Sequence, residues 1–198
     1  LNKKKLSKVV SQIIEQSSKD SAHEYINEIK KLGFHYSTDS GITWGLNDAC
    51  IPEEKKAELD KAEEEVSLVE NEFSDGLLTN QERREKVIEI WTRVREKIAK
   101  HIPKTLKADN PIYSIIDSGA RGSWSQPAQM MGMKGLVINP RGEIIELPVK
   151  SSYKEGLTVI EYFISTHGAR KGSTDTALKT ASAGYLTRRM VDVAQDVT

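Results

Sequence analysis

The clearest hydrophobic pattern in the chain lies between residues 52 and 102, where apolar residues recur at spacings of three and four in two runs. The first run follows Pro52, which suits the start of a helix. The second follows Thr79, which forms a capping-box pattern with Glu82. This arrangement predicts an antiparallel coiled-coil hairpin over residues 52–102, broken at Ser74-Asp75-Gly76. Its apolar positions are Leu59, Ala62, Val66, Val69 and Phe73, then Val87, Trp91, Val94 and Ile98.

Residues 156–198 also carry apolar residues at helical spacings, and they predict one long C-terminal helix. Gly168, Gly172 and Gly184 lie inside this segment. Each glycine costs about 1 kcal/mol relative to alanine in a helix interior. The three glycines therefore predict either breaks in the helix or a deliberately weak point.

The remaining patterns are shorter. Residues 1–51 predict a small helical segment that ends in a connecting loop, and residues 103–155 predict an irregular segment. Within the latter, two apolar runs flank the turn-forming residues 139–142 and predict a β-hairpin over residues 135–149. The expected fold class is therefore mainly α with a small β-hairpin, an antiparallel coiled-coil hairpin and one long C-terminal helix.

Composition narrows the possible functions. Charged residues make up 29% of the chain, which suits a long exposed hairpin, but the formal net charge is zero. A balanced charge argues against an independent nucleic-acid-binding domain. The single cysteine, Cys50, and four scattered histidines offer no disulfide or zinc pattern. No run of 18 apolar residues occurs, so no membrane partner is expected. Since the chain begins on leucine, we interpret it as an internal piece of a longer protein, made and used in a reducing cytoplasm.

Small residues recur along one face of the predicted long helix, at Ala177, Thr180, Ala181 and Gly184, and the stripe ends at Arg188. Such a stripe serves either helix–helix packing or the close approach of a base pair or nucleic-acid backbone. Nearby cations would suit phosphate neutralisation, although exposed helices often carry such charges. These cations are Arg170, Lys171, Lys179, Arg188 and Arg189.

A second candidate is Arg121, which stands between Gly119 and Gly122. An arginine on such an open backbone either reaches a phosphate or carboxylate with its planar fork or is a surface residue of a plain turn. The stretch lacks the Gly-Lys-Ser/Thr ending of a phosphate-cradling loop. No short motif offers the convergent carboxylates that a two-metal site needs.

Three stretches resemble the largest catalytic (beta-prime) subunits of bacterial DNA-dependent RNA polymerases. FISTHGARKGSTDTALKTASAGYLTRRMVDVAQD, residues 163–196, resembles the bridge helix of that family. DSGARGSWSQPAQMMGMKGL, residues 117–136, leads into a stretch like its F-loop at 135–149. The predicted hairpin, residues 52–102, is similar to the rim helices of the secondary channel. Trp124, Ser125 and Pro127 depart from the small and basic residues of the family pattern.

This resemblance implies roles for individual residues. Thr180, Ala181 and Gly184 would lie against the template base in the insertion position, with Tyr185 stacking nearby. Gly168 and Gly172 would act as hinges, and Arg121 would approach the incoming nucleotide or the RNA 3′ end. The cations Arg170, Lys171, Lys179, Arg188 and Arg189 would face nucleic-acid backbone or neighbouring mobile elements.

The resemblance also implies a fragment of a nucleotidyltransferase, with no catalytic residue, metal or cofactor of its own. The Mg²⁺ of the parent enzyme would be held by residues outside this chain, so the fragment alone should be inactive. Implied partners are other polymerase subunits, template DNA, RNA, nucleoside triphosphates and transcription factors that enter the secondary channel. The alternative is a non-enzymatic interaction module whose coiled coil is the active surface.

Overall fold

Helices account for most of the chain in the computed structural model, which describes residues 2–197 apart from the side chains of residues 19 and 20. The described residues form no β-strand, so the prediction of a mainly α-helical fold is confirmed. A 3-10 turn at Leu46–Asp48 and a π-helical turn at Ala128–Gly132 complete the helical elements. The α-helices are α1 (Lys3–Gln16), α2 (Lys19–Ser40), α3 (Glu54–Ser74), α4 (Asn80–Thr105), α5 (Pro111–Asp117), α6 (Ser125–Pro127) and α7 (Val159–Ala194).

The β-hairpin predicted over residues 135–149 is reduced to two isolated antiparallel bridges, Gly135–Val149 and Ile138–Ile144. Three residue steps lead from Gly135 to Ile138, but five lead from Ile144 to Val149. A continuous ladder cannot keep its register across that difference. Pro148 also lacks the N–H group that a ladder requires. The segment therefore turns back on itself without forming strands.

One compact unit contains the residues up to Glu58 together with Glu96–Gly132. Asn110 begins α5, because its Oδ1 accepts a hydrogen bond from the N–H of Ile112 at 2.9 Å. The same side chain donates from Nδ2 to the carbonyl of Asp48 at 2.8 Å. These two bonds fix α5 beside the apolar core of the unit, which consists of Ala49, Ile102, Leu106, Ile112, Ala128 and Met131.

Two of the three residues that depart from the family pattern, Trp124 and Pro127, belong to the packing of this unit. The Trp124 ring lies edge-on to the Tyr113 ring, with centroids 5.7 Å apart. Pro127 is buried in the short helix α6. Large and rigid side chains at these positions thus add to the core beside α5.

The second compact unit contains Leu59–Arg95 together with the residues from Met133 onward. Ion pairs join Glu65 to Arg93 and Glu72 to Lys86. Residue numbers rise along α3 where they fall along α4, so the two helices are antiparallel. The predicted apolar positions line the seam in this unit, where Ala62, Val69, Val87, Trp91 and Val94 are buried.

The capping box predicted at the start of α4 is confirmed. The N–H of Thr79 donates to Glu82 Oε2 at 2.8 Å, and the N–H of Glu82 donates to Thr79 Oγ1 at 3.3 Å. The hydrogen bond from the Thr79 hydroxyl, followed by that from its N–H, lowers the pKa of Glu82. The cap therefore favours the charged carboxylate at the N-terminus of α4, where negative charge is stabilising.

Candidate nucleic-acid interface

The first turns of α7 are fixed to the second unit. Thr158 and Glu161 form a reciprocal capping box, with the N–H of Thr158 donating to Glu161 Oε2 at 3.0 Å and the N–H of Glu161 donating to Thr158 Oγ1 at 3.3 Å. Ile164 is buried one turn later. It packs with Val137 and Val149 in a small core that the partly buried Ile145 and Leu157 complete.

Glu161 also ties α7 to the segment before it. Its Oε1 accepts hydrogen bonds from the N–H groups of Lys150 at 2.8 Å and Ser151 at 3.0 Å. Burial acts to raise the pKa of Glu161, but the hydrogen bonds from Thr158 and Ser151 outweigh it and lower the pKa to about 2. The helix therefore starts at a carboxylate that stays ionised throughout the neutral range.

Sequence reasoning missed Glu161, although a signal was present. The spacing Thr158-x-x-Glu161 before an apolar run is the same capping-box pattern that identified the start of α4. The bonds from Lys150 and Ser151 had no such signal, because they join residues 10 and 11 positions apart across an irregular turn.

Helix α7 continues without a break through Gly168, Gly172 and Gly184. Of the two alternatives that the glycines predicted, breaks in the helix do not occur, and the prediction of one long helix agrees with α7. The space around the glycines differs, because a Cβ at Gly168 would lie 3.0 Å from Val137 Cγ1, whereas nothing lies within 4 Å at Gly172 and Gly184. Close packing thus explains glycine at position 168, and the hinge role of Gly168 and Gly172 stays a prediction.

Beyond residue 168 nearly every residue of α7 is exposed. Its exposed apolar side chains include Leu178, Tyr185, Leu186, Met190 and Val191. Few soluble helices expose so many large apolar residues without a binding role for that surface. The described chain thus holds the helix at its start and leaves the rest of it uncovered.

The small-residue stripe forms a continuous exposed face on this part of α7. At about 100° per residue, Ala177, Thr180, Ala181, Gly184 and Arg188 fall within an arc of roughly 100°. Arg170 lies on the same face, since the eighteen residue steps from Arg170 to Arg188 make five turns at about 3.6 residues per turn, or roughly 27 Å. We call these six residues the small-residue face.

The hydroxyls of Thr176 and Thr180 are turned toward the helix backbone. Thr180 donates from Oγ1 to the carbonyl of Thr176 at 2.7 Å, and Thr176 donates to the carbonyl of Gly172 at 2.8 Å. Such bonds to the preceding turn leave the threonine methyl, rather than the hydroxyl, toward the outside. At Thr180, Ala181 and Gly184 the small-residue face is therefore flat and weakly polar, and a planar ring could approach it closely.

The cations predicted as one cluster are separated in space. Arg170 and Arg188 lie on the small-residue face, whereas Lys179 points to the opposite side by helical geometry. Lys171 pairs with Asp175 at 3.8 Å and Arg188 with Asp192 at 3.9 Å. Exposed pairs of this kind contribute at most about 1 kcal/mol, so both cations are readily available to a phosphate.

Arg189 has a different role in this structure. Its guanidinium carbon lies 4.3 Å from the centroid of the Tyr185 ring. A cation over the face of an aromatic ring is an attractive arrangement. Arg189 thus restricts the orientation of Tyr185, which is 62% exposed at the edge of the small-residue face.

Arg121 belongs to the first unit. It lies in the turn after α5, between Gly119 and Gly122, whose φ angles are 74° and 80°. Its N–H donates to the carbonyl of Ile115 at 3.5 Å, and its exposed side chain has no partner among the described residues. The two left-handed glycines let the chain turn sharply on both sides of this free guanidinium.

Arg83 also makes several contacts, and the sequence patterns did not indicate it. Arg83 donates to Glu70 at 2.8 Å and to Glu146 at 2.8 Å, and its guanidinium lies over the Phe73 ring at 5.4 Å. The hydrogen bonds to Glu70 and then Glu146 raise its pKa further above the usual arginine value. No local pattern could reveal this link, because Arg83 and Glu146 are 63 positions apart.

The described residues contain no group of three or more histidine, cysteine, aspartate or glutamate side chains that could hold a metal ion. Within residues 2–197, no helix is long and apolar enough to cross a membrane.

Family models match the chain in two overlapping stretches. RNA polymerase Rpb1, domain 4 matches residues 54–165, and RNA polymerase Rpb1, domain 5 matches residues 156–198. The first match alone covers more than half of the chain, and the second contains the whole small-residue face. The chain belongs to the RNA polymerase Rpb1 family, the family of polymerase largest subunits.

Curated relatives specify the bacterial branch. The chain is 51% identical over 195 residues to the DNA-directed RNA polymerase subunit beta' of Geobacillus kaustophilus and 52% identical over 196 residues to that of Desulforamulus reducens. These alignments cover 98% and 99% of this chain but 16% of each relative. The subunit from Acidothermus cellulolyticus is 47% identical over 197 residues, which is 15% of its length. The predicted resemblance is thus confirmed, for a chain that spans about one sixth of such a subunit.

Proposed function

We propose that this chain is the part of a bacterial DNA-directed RNA polymerase that lines the active centre and the secondary channel. Helix α7 would be the bridge helix, and its small-residue face would meet the template base in the insertion position. The observation that carries this proposal is the uninterrupted exposed face between Arg170 and Arg188, within residues matched by Rpb1 domain 5.

The chemistry of this face is positioning. A base pair placed against Thr180, Ala181 and Gly184 meets methyl groups and backbone, which restrict its plane without competing for its hydrogen bonds. Tyr185, held by Arg189, would limit movement at the edge of the pair. Arg170 and Arg188 would contact phosphates on either side. Correct placement of reactants can supply a large part of a rate enhancement without any acid–base group.

The other segments would serve the same centre. The turn of residues 135–149 would be the F-loop, and Arg121 would contact the incoming nucleotide or the RNA 3′ end. Gly168 and Gly172 would allow bending during translocation. The parent enzyme would transfer nucleotidyl groups with Mg²⁺ held by ligands outside this chain, and other polymerase subunits would cover the exposed apolar residues of α7.

The α3–α4 hairpin would be the docking surface for factors that enter the secondary channel. This part of the proposal is supported by its exposed tip, where Leu77 is 73% exposed, and by its charged outer surface. The pure interaction module remains the competing function, and it differs in one respect: changes on α7 would then leave nucleotide addition unaffected.

The test is a chimaeric polymerase that carries these 198 residues in place of the corresponding segment. Ala181→Trp should lower the rate of single-nucleotide addition by at least about tenfold, which corresponds to ~1.4 kcal/mol of transition-state stabilisation. Ala183→Trp is the matched control, because Ala183 is also an exposed alanine of α7 and points about 160° away from Ala181. Equal rates for the two variants would contradict the assignment of the face.

A further inference from the structure

The first unit contains a cavity of about 170 Å³ beside Arg121. Its floor includes Ala49, Ile112 and Met131, which are all buried. Its wall adds Ile115, Ile116, Pro127 and Met130, and Trp44 and Arg121 also line it. Since apolar cavities of about 150 Å³ admit a benzene-sized molecule, the space is adequate for one aromatic ring.

The charge of the cavity lining restricts which ligand the cavity can bind. Arg121 is the only charged residue that lines the cavity, and its guanidinium has no partner among the described residues. The amide side chain that lines the cavity, Gln126, already accepts hydrogen bonds through Oε1 from the N–H and hydroxyl of Ser123. An anion carried by an apolar body would therefore satisfy Arg121 without displacing an existing bond.

Trp44 supplies a third feature. It is 50% exposed although it borders an apolar cavity, in the segment between α2 and the 3-10 turn. A large aromatic side chain in this position can cover one face of a bound ring, as aromatic pairs do in stacked or edge-on arrangements. The cavity thus combines an apolar floor, an aromatic edge and one free arginine.

We propose that this cavity binds a small aromatic carboxylate, with its ring among Ile112, Ile115 and Met131 and its carboxylate on the Arg121 guanidinium. A planar carboxylate matches the two parallel N–H donors of arginine, which makes this pair stronger than a neutral hydrogen bond. The binding itself does not depend on the role proposed for α7.

The consequence for catalysis does rest on the proposed function. If Arg121 contacts the incoming nucleotide, an occupied cavity withdraws that guanidinium from the nucleotide. The ligand should then raise the KM for nucleoside triphosphate and leave kcat nearly unchanged, since the interaction lost is one of binding.

The probe is 4-fluorophenylacetate, and its neutral analogue 4-fluorophenylacetamide is the comparison. Binding to the complete chimaeric polymerase is followed by ligand-observed fluorine NMR. We expect a Kd of about 1 mM for the acid, as fits so small a ligand, and markedly weaker binding of the amide. Arg121→Gln should weaken the acid about tenfold and change the amide by less than about twofold.

Two further variants separate the cavity from the charge. Lys107→Gln removes an exposed cation from the same unit outside the cavity, and it should leave both ligands unaffected. Ile115→Trp fills the cavity and should abolish binding of both. Equal binding of acid and amide to the unaltered enzyme, or unchanged acid binding in Arg121→Gln, overturns the proposal.

The kinetic measurement keeps the two proposals apart. Acid binding that depends on Arg121 and raises the KM supports both the cavity and the nucleotide contact. The same binding with an unchanged KM supports the cavity and contradicts the nucleotide contact of Arg121. Absence of binding overturns the cavity proposal whatever the Ala181→Trp variant does.

Discussion

The two ends of α7 are held in very different ways. Its start is capped by Thr158, accepts five hydrogen bonds on Glu161, and buries Ile164 in a local core. The remainder is exposed, and its ion pairs and threonine bonds stay within the helix itself. The described chain therefore fixes where the helix begins and leaves the surface beyond it exposed.

Removal of Glu161 should have the largest effect on the anchored end. Glu161→Ala deletes the cap and the bonds from residues 150 and 151, so we expect the free energy of unfolding to fall by about 2 kcal/mol. Urea denaturation followed by circular dichroism measures the change. Glu15→Ala, an exposed glutamate in α1, is the control and should change stability by less than about 0.5 kcal/mol. Equal losses in both variants would contradict the anchoring role.

Substitution of an arginine should cost more stability at the partly buried Arg83 than at the exposed Arg188 of α7. Arg83→Leu leaves Glu70 and Glu146 without their partner, and the Arg83 side chain is only 15% exposed. We expect a loss of roughly 1–2 kcal/mol, discounted because both glutamates are partly exposed. Arg188→Leu should cost less than about 0.5 kcal/mol, since its pair is fully on the surface. The same denaturation experiment would refute the comparison if Arg188→Leu were the more damaging change.

The anchored end should also be sensitive to acid. The pKa of Glu161 is lowered from 4.5 to about 2 in the folded chain. Its stabilisation is therefore complete above pH 4.5 and is lost as the pH falls toward 2. After allowance for solvent screening, this contribution is about 1 kcal/mol. In Glu161→Gln, stability measured between pH 5 and pH 2 should depend less on pH by that amount; an unchanged slope would exclude Glu161 as its source.

Replacement of Gly172 or Gly168 by alanine should give the smallest changes in stability. Only the first replacement should stabilise the chain. Gly172→Ala places a methyl group in open space and should stabilise the chain by roughly 0.5–1 kcal/mol. Gly168→Ala brings a methyl group to 3.0 Å from Val137, so the gain in helix propensity is offset and stability should stay unchanged or fall. Thermal denaturation of the two variants tests this, and equal stabilisation would show that Val137 moves freely.

The sequence predicted those features that depend on neighbours along the chain. Apolar spacing located the α3–α4 hairpin and α7, and local residue types located the cap at Thr79 and Glu82. A β-hairpin was predicted, but only two isolated bridges form. The apolar patterns of the two sides do not show that one side has more residues between the bridges than the other. Pairs such as Arg83 and Glu146 could not be predicted, since only the folded chain brings distant residues together.

In the candidate site, too, features set by neighbouring residues could be predicted and contacts between distant residues could not. Helical spacing was enough to place Thr180, Ala181 and Gly184 on one face. Proximity in sequence was a poor guide to the cations, because Lys179 points away from that face and Arg189 packs on Tyr185. The cavity beside Arg121 joins residues 44 to 131 and has no sequence signal.

Helix α7 has mechanical properties that follow from its one-sided support. The last closely packed position near its start is Gly168, beside Val137, and the helix ends at Ala194. The free length is twenty-six residues, or roughly 40 Å at about 1.5 Å per residue. A tilt of about 7° at the support would displace the far end by roughly 5 Å, close to one helical turn. A change of packing around Val137 and Ile164 that tilted the helix would therefore move the far end of α7 much further than the packed residues themselves.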